Sequence, residues 1–301
     1  MKPMQEDLYS RVAILGAGLL GGSLGLAIRA YMPECHVVAW GRRDYSFAEI
    51  LSLGAANETT TDLAEAVKGA DLVVFSTPVG VMPFLAQNIK AHLAPGVMVT
   101  DVGSVKGVIH EFTAPILTRA GISFVGSHPM AGSEKQGVSA AREDLFCNAP
   151  LVLTNDEHVS SKKVDRLRRF WEKMGCRCYE MNAADHDRSV AQISHLSHVL
   201  AALAAKVGIQ KGREDVLGRL SGGGFRDTSR VCSGNPEMWS EILMENRRAL
   251  RPLLENTINE LTVLLQLLGS DEPDATKPLE TWLDDAKQKR DQAMACKMKQ
   301  K

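Results

Sequence analysis

The strongest constraint on the fold is a short apolar segment that runs directly into closely spaced glycines. Arg11–Leu15 reads RVAIL, Gly16, Gly18 and Gly21 follow it, and a helical pattern covers 22–31. In such a strand–turn–helix unit the first glycine permits the tight turn, the second lets a diphosphate approach the backbone, and the third lets the helix pack against the strand. Free N–H groups at the helix start attract phosphate oxygens. The pattern predicts a dinucleotide-binding loop with contacts at Gly16, Gly18, Leu19, Leu20 and Gly21, the alternative being a glycine turn without a ligand.

Apolar segments and helical patterns alternate along the first 181 residues. Segments of strand length lie at His36–Trp40, 71–76, 97–101, 123–127, 150–153 and 177–181. Helical patterns separate most of them, at 61–68, 79–92, 105–119 and 160–174. This alternation predicts an α/β fold with a Rossmann-type doubly wound parallel sheet, whose NAD(P)-binding domain covers residues 10–181.

After about residue 181 the chain reads as helices alone, which predicts an all-α substrate and dimerisation domain over residues 182–290. The expected helices cover 186–207, 236–268 and 275–299, with a flexible break at 221–225 and a kink at Pro252. Residues 261–268 (LTVLLQLL) are apolar on nearly all sides, and such a helix needs cover on all sides. We therefore expect a homodimer, the alternative being cover by neighbouring helices of the same chain.

Composition narrows the classes of protein that fit. The 301 residues include 35 basic and 36 acidic side chains, so the chain lacks the basic surplus typical of nucleic-acid binding. We find no signal-peptide core at the start and no apolar run long enough to cross a bilayer, which predicts a soluble, cytoplasmic protein without a membrane partner. The six cysteines follow no zinc spacing, so no metal is expected. Ending at residue 301, the chain is expected to carry no appended regulatory domain.

The residues after the second strand address the choice of cofactor. An NAD site usually has an acidic residue there, which accepts a hydrogen bond from the ribose 2′-hydroxyl. This chain has Arg42 and Arg43 instead, followed by Asp44. Two guanidinium groups can pair with a 2′-phosphate, so NADP is favoured over NAD. The alternative is that both are ordinary surface arginines.

Polar residues follow three further strands of the predicted sheet. Ser76, Thr77 and Pro78 end one strand, Asp101 ends the next, and His128 follows a third. Ligands of open α/β sheets bind in the crevice at the carboxyl ends of the strands. We therefore expect Ser76, Thr77, Pro78 and Asp101 to contact the cofactor and His128 to face it.

Five motifs in order give the chain a specific resemblance. They are D-V-G-S-V-K at 101–106, G-S-H-P-M-A-G-S-E at 126–134, H-D-x-x-x-A-x-x-S-H-L-S-H at 186–198, G-G-F-R-D-T-S-R at 223–230 and P-E-M-W at 236–239. In this combination the chain resembles the prephenate/arogenate dehydrogenase family over about residues 11–250. One departure is Ser197, where the family usually has proline.

The resemblance implies an oxidative decarboxylation of a small-molecule substrate with NAD(P)⁺. Prephenate would give 4-hydroxyphenylpyruvate, and arogenate would give tyrosine. His128 would accept the substrate hydroxyl proton, which a neutral imidazole can do near pH 7. Ser104 would hold the imidazole or the hydroxyl in register. The implied substrate-binding residues are Arg230 for a carboxylate, His195 and His198 in the pocket, Glu134 at the entrance and Trp239 against the substrate.

Other interpretations stay open. His195 and His198 lie three residues apart and could be a metal pair or ordinary helix histidines. Arg226, Asp227 and Arg230 could form a structural salt-bridge cluster. The chain could also be a β-hydroxyacid dehydrogenase, although its Lys206 lies outside the motif, or a dinucleotide sensor without catalysis. His36, His110 and His158 have no motif context and are expected at the surface. The cationic or neutral side chains expected near the substrate side chain favour prephenate slightly over arogenate.

Overall fold

The computed structural model describes residues 8–132, 135–209, 211–270, 274 and 276–298. Its first sheet has six parallel strands in the order β3-β2-β1-β4-β5-β6. These strands are β1 (Arg11–Leu15), β2 (His36–Trp40), β3 (Glu58–Thr60), β4 (Leu72–Phe75), β5 (Met98–Asp101) and β6 (Ser123–Phe124). The order reverses between β1 and β4, which places a ligand crevice at the carboxyl ends of these two strands. The predicted fold class is confirmed.

Helices cover both faces of this sheet, so its central strands carry apolar side chains on both sides. All four residues of β4 are 0% exposed, and β1 is buried from Val12 onward. Parallel sheets of this kind require such continuous burial. The helices that flank or follow the sheet strands are α1 (Leu19–Tyr31), α2 (Phe47–Ser52), α3 (Leu63–Val67), α4 (Met82–Ile89), α5 (Gly107–Phe112) and α6 (Ala114–Thr118).

The prediction of one strand over 123–127 is wrong, because the chain changes sheet at Val125. Its N–H still bonds to the carbonyl of Val99 in the first sheet, at 3.1 Å. The next residues form β7 (Gly126–Pro129) in a separate sheet with β8 (Pro150–Thr154) and β9 (Arg177–Glu180). In this second sheet β7 is antiparallel to β8, and β8 is parallel to β9. A side chain at Gly126 would overlap the Thr154 hydroxyl, so this crossing requires glycine.

Helices follow the second sheet, as expected. Helix α7 (Ser161–Lys173) lies between β8 and β9 in the chain. The helices after β9 are α8 (Ala183–Val190), a π-helical turn (Ala191–His195), α9 (Leu196–Gly208), α10 (Glu214–Leu220), α11 (Gly223–Arg230), α12 (Pro236–Glu245), α13 (Arg247–Leu268) and α14 (Thr276–Met298). Two details differ from the prediction. Helix α11 begins inside the expected break at 221–225, since only the backbone up to Gly222 is extended. The helix expected over 236–268 is interrupted at Asn246, whereas Pro252 lies inside α13.

The chain forms two compact units that part between Leu250 and Arg251. In the second unit, the Trp282 indole donates a hydrogen bond to Glu260, at 2.8 Å, and so joins α14 to α13. Many apolar side chains of the helices are exposed, including Leu265 at 71%. The expected boundary between residues 181 and 182 stays a prediction.

One described helix, Ala183–Gly208, is long and apolar enough to cross a membrane by length and composition alone. The expectation that no apolar segment reaches that length is therefore wrong for this helix. Its apolar positions are interrupted by His186, Asp187 and His195, which are buried and hydrogen-bonded to other protein groups. The core helix of a soluble protein passes the same test, so the length carries little weight.

Candidate active site

The glycine loop after β1 has the shape of a phosphate cradle. Gly16 has a φ of 107°, and a Cβ there would lie 2.6 Å from the Ser76 carbonyl oxygen. A Cβ at Gly21 would overlap the Gly16 carbonyl, whereas one at Gly18 would meet no atom within 4 Å. The loop is thus closed toward the protein and open at Gly18, where Leu19 begins α1. No acidic side chain lies in the first turn of α1 to repel a diphosphate, so the loop fits a dinucleotide.

The segment after β4 lies directly against this loop. Ser76 and Thr77 both come within 3 Å of the Cβ position of Gly16. The Thr77 hydroxyl is buried without a hydrogen-bond partner among the described residues, and Pro78 is exposed beside it. Glu241 on α12 accepts a hydrogen bond from the Gly80 N–H, at 2.7 Å. The unpaired Thr77 hydroxyl can thus bond to a ligand in the crevice, and Glu241 connects the crevice to the helices that carry the other motifs.

Arg42 and Arg43 follow β2 at the same edge of the sheet. Both are exposed, as is Asp44. Within the described ranges, neither guanidinium forms a salt bridge. Both cations are thus available to an anionic group of a ligand.

The end of β5 is joined to β7 by a buried ion pair. The Lys106 ammonium bonds to Asp101 Oδ2 and donates to the Ser127 carbonyl at 2.9 Å, and both charged side chains are 0% exposed. Asp101 also accepts the N–H groups of Ser127, at 3.1 Å, and Gly103, at 2.7 Å. Asp101 was expected to contact the cofactor, but the structure shows both its oxygens bonded to protein groups. Burial lowers the pKa of Lys106, and the Asp101 carboxylate opposes that change.

His128 begins a chain of hydrogen bonds that leads away from the crevice. Its Nδ1 lies 2.8 Å from His186 Nε2, and His186 Nδ1 lies 2.8 Å from Asp187 Oδ1. The Asp187 carboxylate also accepts the N–H groups of Lys106 and Gly107, each at 2.8 Å. His128 is partly exposed, whereas His186 is fully buried. One ring nitrogen of His128 is thus bonded to His186, and within the part of the chain that the structure describes the other has no hydrogen-bond partner.

This environment keeps the imidazoles neutral. Burial lowers the pKa of His128 well below its usual value, and nearby His186, Lys106 and His195 lower it further. Burial also lowers the pKa of His186 despite its bond to Asp187. Burial alone would raise the pKa of Asp187, but hydrogen bonds from His186 and two backbone N–H groups hold it below its usual value. A neutral His128 at neutral pH can accept a proton.

His195, His198 and Trp239 form a second part of the site. His198 stacks on the Trp239 indole at 3.6 Å between ring centroids, and His195 meets the same indole edge-on. Burial lowers the pKa of His195 to about 4. His195 Nδ1 lies 3.0 Å from the side-chain amide nitrogen of Asn246. Among the described residues no group of His, Cys, Asp or Glu has the arrangement of a metal site.

Three other residues were expected in the site: Ser104, Arg230 and Glu134. Ser104 is partly exposed and forms no hydrogen bond with His128 within the described residues. Arg230 is exposed at the end of α11, next to Val231, whose backbone opposes the lowering of the His198 pKa by burial. Glu134 lies outside the described residues. The suggested salt-bridge cluster of Arg226, Asp227 and Arg230 does not form in this part of the chain.

Sequence reasoning missed four residues that build the site: Lys106, His186, Asp187 and Asn246. The first three lie inside quoted motifs, so a charged or titratable residue within each motif was the available signal. Asn246 had no such signal. The expectation of a surface position was wrong for His110, whose side chain is 7% exposed and bonds to Thr154 at 2.8 Å.

Comparisons with known proteins agree with this geometry. A family model described as "Prephenate dehydrogenase, nucleotide-binding domain" matches residues 24–180, and one described as "Prephenate dehydrogenase, dimerization domain" matches 182–284. A cyclohexadienyl dehydrogenase from Zymomonas mobilis is 33% identical over 269 residues, covering 89% of this chain and 91% of the relative.

Two solved structures are similar along most of the chain. Prephenate dehydrogenase from A. aeolicus, in complex with hydroxyphenyl propionate and NAD⁺, is 29% identical with a TM-score of 0.83, covering 94% of this chain and 98% of that one. Synechocystis arogenate dehydrogenase is 31% identical with a TM-score of 0.75, covering 92% and 99%. A dinucleotide cradle, a neutral histidine beside it and both family domains lead to one conclusion: the chain is a nicotinamide-dependent oxidoreductase of the prephenate dehydrogenase family.

Proposed function

We propose that the protein oxidises and decarboxylates prephenate to 4-hydroxyphenylpyruvate with NAD(P)⁺ as the oxidant. One observation carries the proposal beyond family membership. His128 is neutral and partly exposed, and among the described residues only its Nδ1 is hydrogen-bonded to a protein group. A positioned base of this kind is what the oxidation of a ring alcohol requires.

The reaction makes two chemical demands on the protein. Prephenate is a cyclohexadiene with a hydroxyl, a ring carboxylate and a pyruvyl side chain. When bound, the nicotinamide cofactor supplies a hydride acceptor for the carbon that bears the hydroxyl. The protein must take up the hydroxyl proton while a carbonyl forms, and it must hold two carboxylates.

His128 meets the first demand. Its free ring nitrogen accepts the hydroxyl proton as the carbon–oxygen double bond forms. The ring carboxylate then leaves as CO₂, and its bonding electrons make the ring aromatic and place negative charge on the oxygen. His128 returns the proton to that oxygen, so the base ends the cycle neutral and no net proton is released. General-base catalysis of this kind typically contributes ~10²–10⁴ in rate.

Arg230, His198 and Trp239 address the second demand. The guanidinium of Arg230 is exposed and can hold a carboxylate with two hydrogen bonds. A charge-assisted bond of this type contributes about 1.5–3 kcal/mol. The stacked His198 and Trp239 offer a flat surface for the ring of the substrate. Ser104 would position the substrate hydroxyl, since within the described residues it does not bond to His128.

For the cofactor we favour NADP⁺ over NAD⁺. The exposed Arg42 and Arg43 occupy the place where an acidic residue would bind the ribose of NAD. The A. aeolicus relative, at 29% identity, is a complex with NAD⁺, so the preference within this family needs a measurement on this chain.

We further propose that the protein is a homodimer through its helical region. Residues 182–284 match a dimerization domain, and large apolar side chains on the helices are exposed in the single chain. Examples are Ile258 at 62% and Leu265 at 71% exposure. A second copy would cover such residues.

Initial rates with prephenate and with arogenate, each with NAD⁺ and NADP⁺, test the function. We expect rapid reduction with prephenate, faster with NADP⁺. A higher rate with arogenate would assign the chain to the activity named for the Synechocystis relative. Folded protein that binds dinucleotide and reduces it in none of the four combinations would contradict the proposal.

A further inference from the structure

Asp187 is connected by hydrogen bonds to both groups of histidines in the site. Its side chain makes one connection, and its main chain makes the other through Asn246. Its carboxylate bonds to His186, which bonds to His128. Its carbonyl oxygen accepts the side-chain amide of Asn246, which also bonds to His195. We propose that Asp187 and Asn246 are positioning residues that fix opposite tautomers, so that His128 offers an acceptor and His195 a donor. The catalytic meaning of this assignment rests on the function proposed above.

The tautomer of His128 follows from hydrogen-bond chemistry. An ionised carboxylate only accepts hydrogen bonds, and Asp187 is ionised because a backbone N–H group donates to each of its two oxygens. His186 must therefore carry its proton on Nδ1, which leaves its Nε2 as an acceptor. That acceptor receives the proton on His128 Nδ1, 2.8 Å away. A neutral His128 then has an unprotonated Nε2, the nitrogen that can take a proton from a substrate hydroxyl.

The tautomer of His195 follows in the same way from Asn246. The amide nitrogen lies 2.8 Å from the Asp187 carbonyl oxygen and 3.0 Å from His195 Nδ1. A flipped amide would set two oxygens against each other at the first contact, so the nitrogen orientation is fixed. Because that nitrogen only donates, His195 Nδ1 must accept. The proton of a neutral His195 is therefore on Nε2, as a donor for an oxygen of a bound anion.

The two tautomers are complementary. His128 must receive a proton, whereas His195 must not compete for it. The opposite assignment would place an N–H where the hydroxyl proton has to go. Asn246 is available for this contact because the helix pattern stops there, between α12 and α13. The break between α12 and α13 thus places the Asn246 side chain against His195, in addition to turning the chain.

The sharpest test is Asp187→Asn. Asp187 Oδ1 faces both His186 and the Lys106 N–H, and Oδ2 accepts from Gly107, so no placement of the new amide restores all three contacts. The negative charge that keeps the His186 proton on Nδ1 is also lost, and His128 is then no longer held in a single tautomer. Fixing the wrong tautomer in a serine protease lowers kcat by about 10⁴, and here we expect a loss of ~10²–10⁴. The KM for dinucleotide should stay within about twofold, since the glycine loop is untouched. Asp185→Asn is the matched control, because Asp185 lies on the same helix with its carboxylate toward solvent.

The decisive readout is the ¹⁵N NMR spectrum of histidine-labelled protein, with His128 and His195 assigned from their asparagine variants. In the wild type we expect unprotonated nitrogens at Nε2 of His128 and at Nδ1 of His195. In Asp187→Asn the single-tautomer pattern of His128 should be lost, and in Asn246→Ala only the His195 pattern should be lost. A wild-type His128 protonated at Nε2 would overturn the inference even if neither the Asp187 nor the Asn246 variant folds. Predicted tautomers without turnover of either substrate would instead contradict the proposed function.

Discussion

Strand β4 and helix α13 both carry apolar side chains, but the single chain buries them to different extents. Every residue of β4 is 0% exposed, whereas Ile258 and Leu265 on α13 are mostly exposed. The sheet finds its cover in α-helices that follow each strand within a few residues. The helical region leaves large apolar side chains exposed in the single chain. An apolar segment therefore predicts burial, but whether the same chain supplies the cover depends on the neighbouring elements.

The largest expected effect is on turnover, which should fall without a change in dinucleotide binding by the sheet region. His128→Asn should lower kcat by ~10²–10⁴ because the base is lost, while the dinucleotide Kd changes little. Steady-state kinetics and fluorescence titration with the reduced cofactor measure the two quantities. His158→Asn is the control, since His158 is exposed and has a φ of 53°, which asparagine tolerates. Wild-type turnover in His128→Asn would remove His128 from its role.

The burial contrast itself is tested by truncating one apolar side chain in each region. Phe75→Ala should lower the free energy of unfolding by about 3–5 kcal/mol, because it leaves a cavity in a packed sheet. Leu265→Asn should cost under ~0.5 kcal/mol in a monomer but should dissociate a dimer. Denaturant titration and light scattering measure the two effects. An unchanged mass for Leu265→Asn at all concentrations would mean that this face is ordinary surface.

Lowering the pH should reduce the free energy of unfolding through the buried histidines of the site before it affects the sheet. The pKa of His195 falls from 6.5 in the unfolded chain to about 4 when folded, and burial lowers those of His128, His186 and His198 as well. The unfolded chain then binds more protons, so this contribution is complete above pH 6.5 and is lost as the pH falls toward 4.

For His195 the shift corresponds to about 3 kcal/mol, an order-of-magnitude value for a side chain that is 1% exposed. Denaturant titrations from pH 7.5 to pH 4.5 should show the decline, and His195→Asn should reduce its slope. Constant stability over that range would contradict the neutral, buried state of the cluster.

The smallest expected effect concerns the exposed cations at the edge of the sheet. Replacing Arg42 and Arg43 together by alanine should raise the KM for NADP⁺ by about 10–100-fold, from the loss of one charge-assisted pairing. The KM for NAD⁺ should change by less than about threefold. Arg119→Ala, at another exposed arginine, is the control. Equal changes for both cofactors would assign the pair to the surface.

The parts of the molecule that could be predicted are those fixed by neighbouring residues. The strands and the glycine loop depend on local apolar runs and on backbone geometry at Gly16 and Gly21, which the sequence displays directly. The hydrogen-bond network could not be predicted in the same way. His128 and His186 lie 58 residues apart, and Lys106 and Asp187 lie 81 apart. Only the fold brings such partners together, and no local pattern records the contact.

The change of sheet at Val125 has a consequence for engineering. The dinucleotide cradle lies on the first sheet, while His128 lies on the second, three residues beyond Val125. The two sheets are joined at this point by the ion pair of Lys106 and Asp101, both of which are hydrogen-bonded to Ser127 of β7. The residues that set cofactor preference and the residues around the His128 imidazole can therefore be redesigned separately, provided that this ion pair is kept. A library that varies the loops of both sheets while holding these two residues constant would exploit that independence.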